Sequence, residues 1–251
     1  MLHPLLEGRG YLASQDWSQQ HKSQADSSWG SGMDLGVPIL MTGAILIVGW
    51  FFLGMQWNVH KGQRLLRWMR EGLPLLSERT TLEWVGTSLV RLRMREAKTP
   101  FREVELLLVF EPRDVPFLWL FSRWRGRRDL MIVRARLRQP PAFEGEWANP
   151  AMWTGREILQ RIVWGEWENM DLAGGRLAYR GAMAPRVIEE CLGDLSGSYP
   201  YIARLSVRRA EPHHLQIHVG FPRDQKIPAR EVFQQIRRVA ERVSRSSAVP
   251  S

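Results

Sequence analysis

Three histidines near the C-terminus are the residues best suited to metal chemistry. His213 and His214 are adjacent, and His218 follows four positions after His214. Imidazole nitrogens bind zinc at about 2.0–2.1 Å, so the rings of one site must converge. Adjacent residues of a strand point to opposite faces, and His214 and His218 would stand about 13 Å apart on one face. The spacing favours the solvated polar side of a hairpin, and we expect no bound metal.

The lone cysteine, a glycine pair and an acidic cluster are weaker candidates for chemistry. Cys191 falls on the apolar side of a predicted helix, where a thiol behaves as a small hydrophobe and lacks the basic partner of a nucleophile. Residues 174–176 (GGR) lack the pattern of a phosphate-binding loop and indicate a turn. Glu166, Glu168 and Asp171 offer carboxylates, but acidic residues are common on surfaces. No catalytic residue, cofactor or small-molecule substrate is predicted.

Arginines form the most distinctive pattern, because they alternate with apolar residues in two predicted strands. This basic sheet face comprises Arg91, Arg93, Arg95, Arg134, Arg136 and Arg138. A third predicted strand carries Glu103 and Glu105. Like charges side by side on a sheet are destabilising, so the pattern predicts either an anionic partner or a salt-bridged surface completed by acids elsewhere. The candidate partners are lipid head groups, an acidic protein surface and nucleic acid.

The net charge of the 251-residue chain is +9, and it is concentrated after the first 57 residues. Residues 58–251 hold 33 Lys and Arg against 22 Asp and Glu. A basic domain beside an anionic leaflet gains about 1 kcal/mol for each Lys or Arg held at the surface. Only four of the 35 basic residues are Lys, and such a skew also arises from codon composition. The charge alone therefore does not identify a partner.

An uncharged, almost wholly apolar run at 37–57 precedes most of these charged residues and is the first predicted structural element. As a helix, this run would be about 31 Å long, which matches a hydrocarbon core about 30 Å thick. A buried core helix seldom stays uncharged for this length. A cleavable signal peptide would have a shorter apolar stretch, a preceding basic region and a small-residue cleavage site. The run predicts a single transmembrane helix, with Trp57 as an interfacial anchor.

The charges on either side of this run predict its orientation. Four cations follow it within thirteen positions: Lys61, Arg64, Arg67 and Arg70. Because Lys and Arg beside a membrane helix stay cytoplasmic, we expect the N-terminus outside the cell membrane and residues 58–251 inside. Residues 1–36 are rich in Ser, Gln and Gly and are predicted to be a disordered extracytoplasmic tail. A start at Met33 would shorten this tail.

The sequence pattern of residues 58–251 predicts an α+β fold, in which helices cover antiparallel sheet. We expect a basic juxtamembrane helix and linker at 58–80, a β-rich subdomain at 81–145 and an α+β subdomain at 146–251, or one domain over both. Alternating apolar and polar residues predict strands in segments 88–96, 102–112, 129–141, 201–207 and 215–219, with a further strand at 175–180. Helices are predicted from Thr154 to about Trp164, from Pro185 to about Leu192, and from about Pro228 onward.

The segment 117–128 joins two predicted strands but is too apolar for a simple connection. Wound as a helix, its apolar residues fall at i, i+3, i+4 and i+7 on one side. The residues expected to contact the membrane or another anionic surface, besides the four juxtamembrane cations, are Phe117, Trp119, Leu120, Phe121, Arg123, Trp124, Arg125, Arg127 and Arg128. Two placements remain open for the apolar side, which are the core of the domain and the bilayer interface.

These patterns predict a single-pass membrane protein that is not an enzyme and is an accessory, scaffolding or regulatory part of a membrane assembly. Its expected partners are the lipid bilayer, anionic lipid head groups and other membrane proteins. One alternative is a membrane-tethered nucleic-acid-binding protein, whose affinity would fall steeply with salt. The other is an enzyme without a local motif, which a polar pocket with shifted ionisable groups would indicate.

Overall fold

A computed structural model describes residues 33–161, 167–210, 212–222 and 227–246. The predicted tail before Met33, the predicted helix end near Trp164, and Glu166 of the acidic cluster lie outside the described residues. The chain divides into two compact units, Met1–Gly49 and Trp50–Ser251.

The first helix contains both the apolar run and the basic juxtamembrane segment. The helices of the described residues are α1 Met33–Met69, α2 Pro116–Trp124, α3 Trp153–Arg161, α4 Ala184–Ser196 and α5 Ala229–Arg245. Within α1, the stretch Gly36–Met69 is long and apolar enough to cross a membrane, and its most apolar window is not buried. This finding is consistent with a membrane anchor, although a signal sequence near an N-terminus meets the same criteria of length and composition.

The fold is α+β, in agreement with the prediction. Nine strands of the described chain form one antiparallel sheet in the order β1-β2-β3-β4-β9-β8-β5-β7-β6. The strands are β1 Thr81–Val85, β2 Leu89–Met94, β3 Phe101–Val109, β4 Leu130–Leu137, β5 Glu144–Ala148, β6 Glu168–Leu172, β7 Gly175–Arg180, β8 Ile202–Val207 and β9 Leu215–Gly220. The sheet is continuous because β4 pairs with β9, and β8 then pairs with β5.

One face of the sheet is apolar and lies under helices. Leu106, Val133 and Ile217 come from three neighbouring strands and are fully buried. Leu65 and Met69 of α1 belong to the same core cluster, together with buried residues of α4 and α5. Burying one side chain of this size contributes roughly 1.5–3 kcal/mol, so the hydrophobic effect holds the end of α1 against the sheet.

The opposite face carries the predicted arginines in salt-bridged rows. The strand register aligns Arg93, Glu105 and Arg134 across β2, β3 and β4. The Glu105 carboxylate lies 3.3 Å from Nε of Arg91, 3.5 Å from Nε of Arg93 and 3.5 Å from Nη1 of Arg134. The acidic strand therefore lies between the two arginine strands and neutralises part of their charge.

The differences from the predicted elements have local causes. The alternation of apolar and polar residues does not predict β1, β5 or β6, because β1 and β6 are short edge strands and β5 buries a carboxylate. That carboxylate, on Glu146, accepts hydrogen bonds from Arg204 and Ser206. Thr154 does not cap α3, because the helix already begins at Trp153.

The C-terminal part of α1 packs against the domain along one side, and two glycines allow the close approach. A Cβ atom at Gly54 would collide with the backbone of Arg113, and one at Gly62 would collide with the ring of Trp84. These collisions mean that only glycine fits at the two positions without a shift of the neighbours. The helix is thus in direct backbone contact with the connection that follows β3.

We expect Gly54→Ala to destabilise the protein by about 1–3 kcal/mol, the usual cost of overpacking. The direction of this change is informative, because a Gly→Ala substitution inside a helix otherwise stabilises the protein by about 1 kcal/mol. Gly49→Ala is the matched control, because no atom of the described residues outside its own stretch of helix lies within 4 Å of its Cβ position. Thermal unfolding of the full-length protein in mild detergent should give a lower midpoint for Gly54→Ala alone. Equal midpoints for both variants would contradict the close packing.

Candidate membrane-contact site

Helix α2 presents a large apolar side that the rest of the described chain leaves uncovered. Pro116 begins the helix, where its missing N–H costs nothing, and Arg123 in the last turn suits the negative end of the helix dipole. The exposed fractions of its apolar residues are 78% for Phe117, 62% for Leu120, 48% for Phe121 and 83% for Trp124. The core cluster of the described residues includes none of these four. An apolar patch of this kind marks an interaction site.

The other side of α2 is bonded to α1 and to the end of β3. Trp119 Nε1 donates to Glu111 Oε2 at 2.9 Å, and its ring centroid lies 6.1 Å from that of Trp50. Trp50 Nε1 in turn donates to the carbonyl oxygen of Arg113 at 3.0 Å. The sequence predicts Trp119 to be a membrane-contacting residue, but in the structure its side chain is half-buried and directed toward α1. The two helices are therefore adjacent at Trp50.

A polar cluster, which we name the anchor latch, joins α1 to the two connections that flank α2. It consists of Asn58, Lys61, Glu111, Arg113 and Asp129. The Arg113 guanidinium donates from Nη1 to Asp129 Oδ1 at 3.2 Å, from Nη2 to Asp129 Oδ2 at 3.0 Å, and from Nη1 to Asn58 Oδ1 at 3.0 Å. Lys61 Nζ donates to Asp129 Oδ2, and Asn58 Nδ2 donates to the carbonyl of Glu111. Lys61 is thus bound in the latch, apart from the exposed juxtamembrane arginines.

Matched charges allow the latch to be buried. Burial raises the pKa of the Asp129 carboxyl, but hydrogen bonds from Arg113 and Lys61, with their positive charges, outweigh burial and hold that pKa below its ordinary 3.8. The second carboxylate, Glu111, lies 3.5 Å from Nη2 of Arg113 and 3.7 Å from Nη1 of Arg123. Because removing one partner of a buried pair costs several kcal/mol, the latch is a specific connection and requires all its charges.

Four arginines are concentrated at the C-terminal end of α2. Arg123 forms an ion pair with Glu111 of the latch. Arg125 lies over the ring of Phe121, and Arg127 lies over the ring of Trp153. Arg128 donates from Nη1 to the carbonyl oxygens of Arg123 and Arg127. Within the described residues, no carboxylate lies within 4 Å of the guanidinium groups of Arg125, Arg127 or Arg128. Among the described residues, these three guanidinium groups therefore have no carboxylate that neutralises them.

The remaining predicted cations are at two other places. Arg64, Arg67 and Arg70 are exposed on α1, beyond the latch. The arginines of the basic sheet face are on β2 and β4 or directly after these strands, away from α2. Arg136 is exposed, and Arg138 donates hydrogen bonds to the carbonyl oxygens of Phe101 and Ala97. The structure thus joins α1 and α2 in one site and keeps the basic sheet face apart from it.

The prediction of a solvated histidine face is wrong for His218. This residue lies on the polar face of β9, but β9 is the middle strand of the nine, and Ile132 and Arg204 are directly opposite on its neighbours. The side chain is buried, and neither ring nitrogen has a hydrogen-bond partner among the described residues. Burial, followed by the positive charges of Arg204 and Arg134, lowers the pKa of His218 to about 3.

The other candidates for chemistry occupy structural positions. His214 Nδ1 accepts a hydrogen bond from the backbone N–H of Leu137 at 3.2 Å. Cys191 is fully buried, and burial raises the pKa of its thiol to about 12. Gly174 has a φ of 73° in the turn between β6 and β7, as the glycine pair indicates. Among the described residues, no three His, Cys, Asp or Glu side chains are grouped as a metal site requires.

Sequence reasoning did not identify most of the latch. Asn58, Glu111, Arg113 and Asp129 were not among the predicted site residues. One signal was available, because Glu111 and Asp129 stand at the ends of the two strands that flank the apolar segment 117–128. Antiparallel pairing of these strands brings the two ends together, and the backbone N–H of Glu111 donates to Asp129 Oδ1 at 2.7 Å.

Comparison with known proteins does not assign this site. No protein-family model matches the chain, and no curated protein matches it. The geometry of α2 and the anchor latch is therefore the basis for a functional proposal.

We expect Asp129→Asn to lower the free energy of unfolding by about 3–5 kcal/mol, because Arg113, whose side chain is 16% exposed, would lose the carboxylate that compensates its burial. Asp171→Asn is the matched control, since the side chain of Asp171 is 89% exposed and lies 3.7 Å from Nε of Arg176. Its effect should stay within about 0.5 kcal/mol. Equilibrium unfolding of the full-length variants in mild detergent measures both. Similar losses for the two would contradict the role of the latch.

The buried imidazole of His218 should make stability depend on pH. Between pH 6.5 and about 3 the unfolded chain binds a proton that the folded chain does not, so stability is complete above pH 6.5 and falls as the pH is lowered. The slope contributed by one group is at most about 1.4 kcal/mol per pH unit. We expect His218→Leu to reduce the slope of unfolding free energy between pH 6 and 4, and to leave it unchanged above pH 7. An identical slope in the acid range would contradict this.

Proposed function

We propose that this protein is a single-pass membrane protein whose α+β domain works at the cytoplasmic surface of the cell membrane. In this proposal, the domain is an accessory, scaffolding or regulatory part of a membrane assembly and carries out no catalysis of its own. Helix α1 is the anchor, and helix α2 lies in the bilayer interface as a second contact. The observation that carries the proposal is the exposed apolar side of α2 beside the apolar part of α1.

The position of α2 along α1 supports this second contact. An apolar run needs about 20 residues to span a hydrocarbon core, so the last turns of the run at 37–57 belong near its boundary. Trp50 lies in that part of α1 and contacts Trp119 of α2. Nearby on α1, Leu53 and Trp57 are exposed apolar residues as well. A helix held beside Trp50 would therefore lie at the depth where aromatic side chains are enriched in membrane proteins.

The composition of α2 fits an interfacial helix. Its exposed side has two phenylalanines, a leucine and a tryptophan, and its C-terminal end has four arginines. Amphipathic helices with aromatic residues on one side and cations beside them bind in the plane of the interface, with the apolar side buried about 5–10 Å. Arg64, Arg67 and Arg70, exposed on α1, support the cytoplasmic orientation of the same surface.

The basic sheet face is the proposed contact for an acidic surface of a partner protein. Its six arginines are opposed by fewer acids, and Arg95 and Arg136 are exposed. Nucleic-acid binding depends on cations free to neutralise phosphates. Because Arg91, Arg93 and Arg134 already share Glu105, the exposed Arg95 and Arg136 remain for a partner, and two cations suit a few ion pairs with an acidic protein better than the many phosphate contacts of nucleic-acid binding.

The interfacial position of α2 can be measured by depth-dependent quenching in liposomes of the full-length protein. A fluorophore on Phe117→Cys should be quenched by lipids that carry a nitroxide near the head group. Cys191 can stay in place, because its buried, high-pKa thiol reacts slowly with labels. We expect Leu120→Glu combined with Phe121→Glu to abolish this quenching without unfolding the domain, since both side chains are exposed.

The control label belongs at Arg79→Cys, which is exposed and lies two residues after the bridge between Ser77 and Ala97. That bridge is near the start of β3, whereas α2 follows the end of β3. Nine residues of strand separate these ends by about 26 Å. Quenching that is equal at the two labels, or that survives the double Glu substitution, would contradict the proposal.

A further inference from the structure

A cavity of about 170 Å³ lies at the C-terminal end of α2. Most of its lining is apolar or aromatic and comes from Val109, Phe110, Leu130, Met152, Trp153 and Tyr201. Binding pockets for whole small molecules are larger, at about 300–1,000 Å³. An apolar cavity of about 150 Å³ nevertheless accepts a group the size of benzene. This cavity can therefore admit one apolar segment of a larger molecule.

Two cations of the α2 cluster, Arg127 and Arg128, also line this cavity. The guanidinium of Arg127 lies 3.9 Å from the centroid of the Trp153 ring. Arg128 is held by its two bonds from Nη1 to backbone carbonyls, which leave its Nε and Nη2 without a partner among the described residues. Both side chains are thus positioned before any ligand arrives, which lowers the entropic cost of binding.

The charge at the cavity is positive. Among the described lining residues, Glu111 alone bears a carboxylate, which is already bound by Trp119, Arg113 and Arg123. Arginine binds phosphate through parallel N–H···O bonds, with better geometry than a lysine provides. The site therefore combines free phosphate donors with an apolar cavity, which is the complement of an amphiphile with an anionic head.

We propose that Arg127 and Arg128 bind the phosphate of one anionic phospholipid, and that a segment of its acyl chain enters the cavity beside Met152 and Trp153. This inference rests on the proposed function, because the interfacial position of α2 brings the cavity to the lipid. A soluble phosphate compound would satisfy the arginines but would leave the apolar lining without a role. The bilayer supplies both parts of the ligand in one molecule.

Lipid retention by the full-length protein tests this inference. The protein is incubated in mild detergent with equal amounts of phosphatidylglycerol and phosphatidylcholine, and the bound lipid is identified by native mass spectrometry. We expect one phosphatidylglycerol per chain. Arg127→Gln combined with Arg128→Gln should reduce this occupancy at least tenfold. Arg79→Gln combined with Arg186→Gln removes the same charge from two positions outside the proposed membrane contacts, whose side chains are 85% and 86% exposed, and should leave the occupancy unchanged.

A second variant, Met152→Trp, fills the cavity without altering the charge and should also abolish retention. If the double Gln variant fails to fold, the Met152→Trp variant still tests whether the lipid binds in the cavity. Equal retention of the two lipids, retention in Met152→Trp, or an equal loss in the Arg79/Arg186 control would overturn the inference. Quenching at α2 reports the proposed function separately. Normal quenching without a retained lipid refutes this site and leaves the proposed function standing.

Discussion

The pairing of buried charges at Asp129 is the interaction on which the arrangement of the two site helices depends. Asp129 ends the connection from α2 and precedes β4, and its carboxylate binds Lys61 of α1 and Arg113 after β3. One side chain thus ties α1 to the two connections that flank α2. Apolar packing at Leu65 and Met69 secures α1 to the core but is not directional. The charged contacts supply direction, because each is satisfied in only one geometry.

Much of the fold follows from local periodicity. Arg134 and Arg136 alternate with Val133 and Ala135, so one face of β4 had to be polar and the other buried, and the structure has them so. The apolar stripe from Val232 to Val243 likewise predicts α5. Such patterns are readable because each element buries one side against a common core. The apolar spacing in segment 117–128 predicts helix α2 for the same reason, but not which side of it is covered.

The remainder depends on contacts between distant parts of the chain. The sequence around Asn58 does not indicate that its partners are 53 and 55 positions away. The burial of His218 depends on β9 being the middle strand, which requires the complete strand order. The alternation of apolar and polar residues does not predict β5, because the carboxylate of Glu146 is buried. Its hydrogen-bond partners are two arginines and a serine about sixty residues later in the chain. Each of these features is determined by topology, which periodicity does not encode.

Helix α1 continues without a break from Trp50 to Met69, and both of these residues are fixed to the domain. A flexible hinge would let an anchored domain rotate independently of its helix, but this stretch contains none. Because the stretch is held at both ends, a rotation of Trp50–Met69 about its own axis would turn the sheet with it, and the direction of the basic sheet face would change by the same angle.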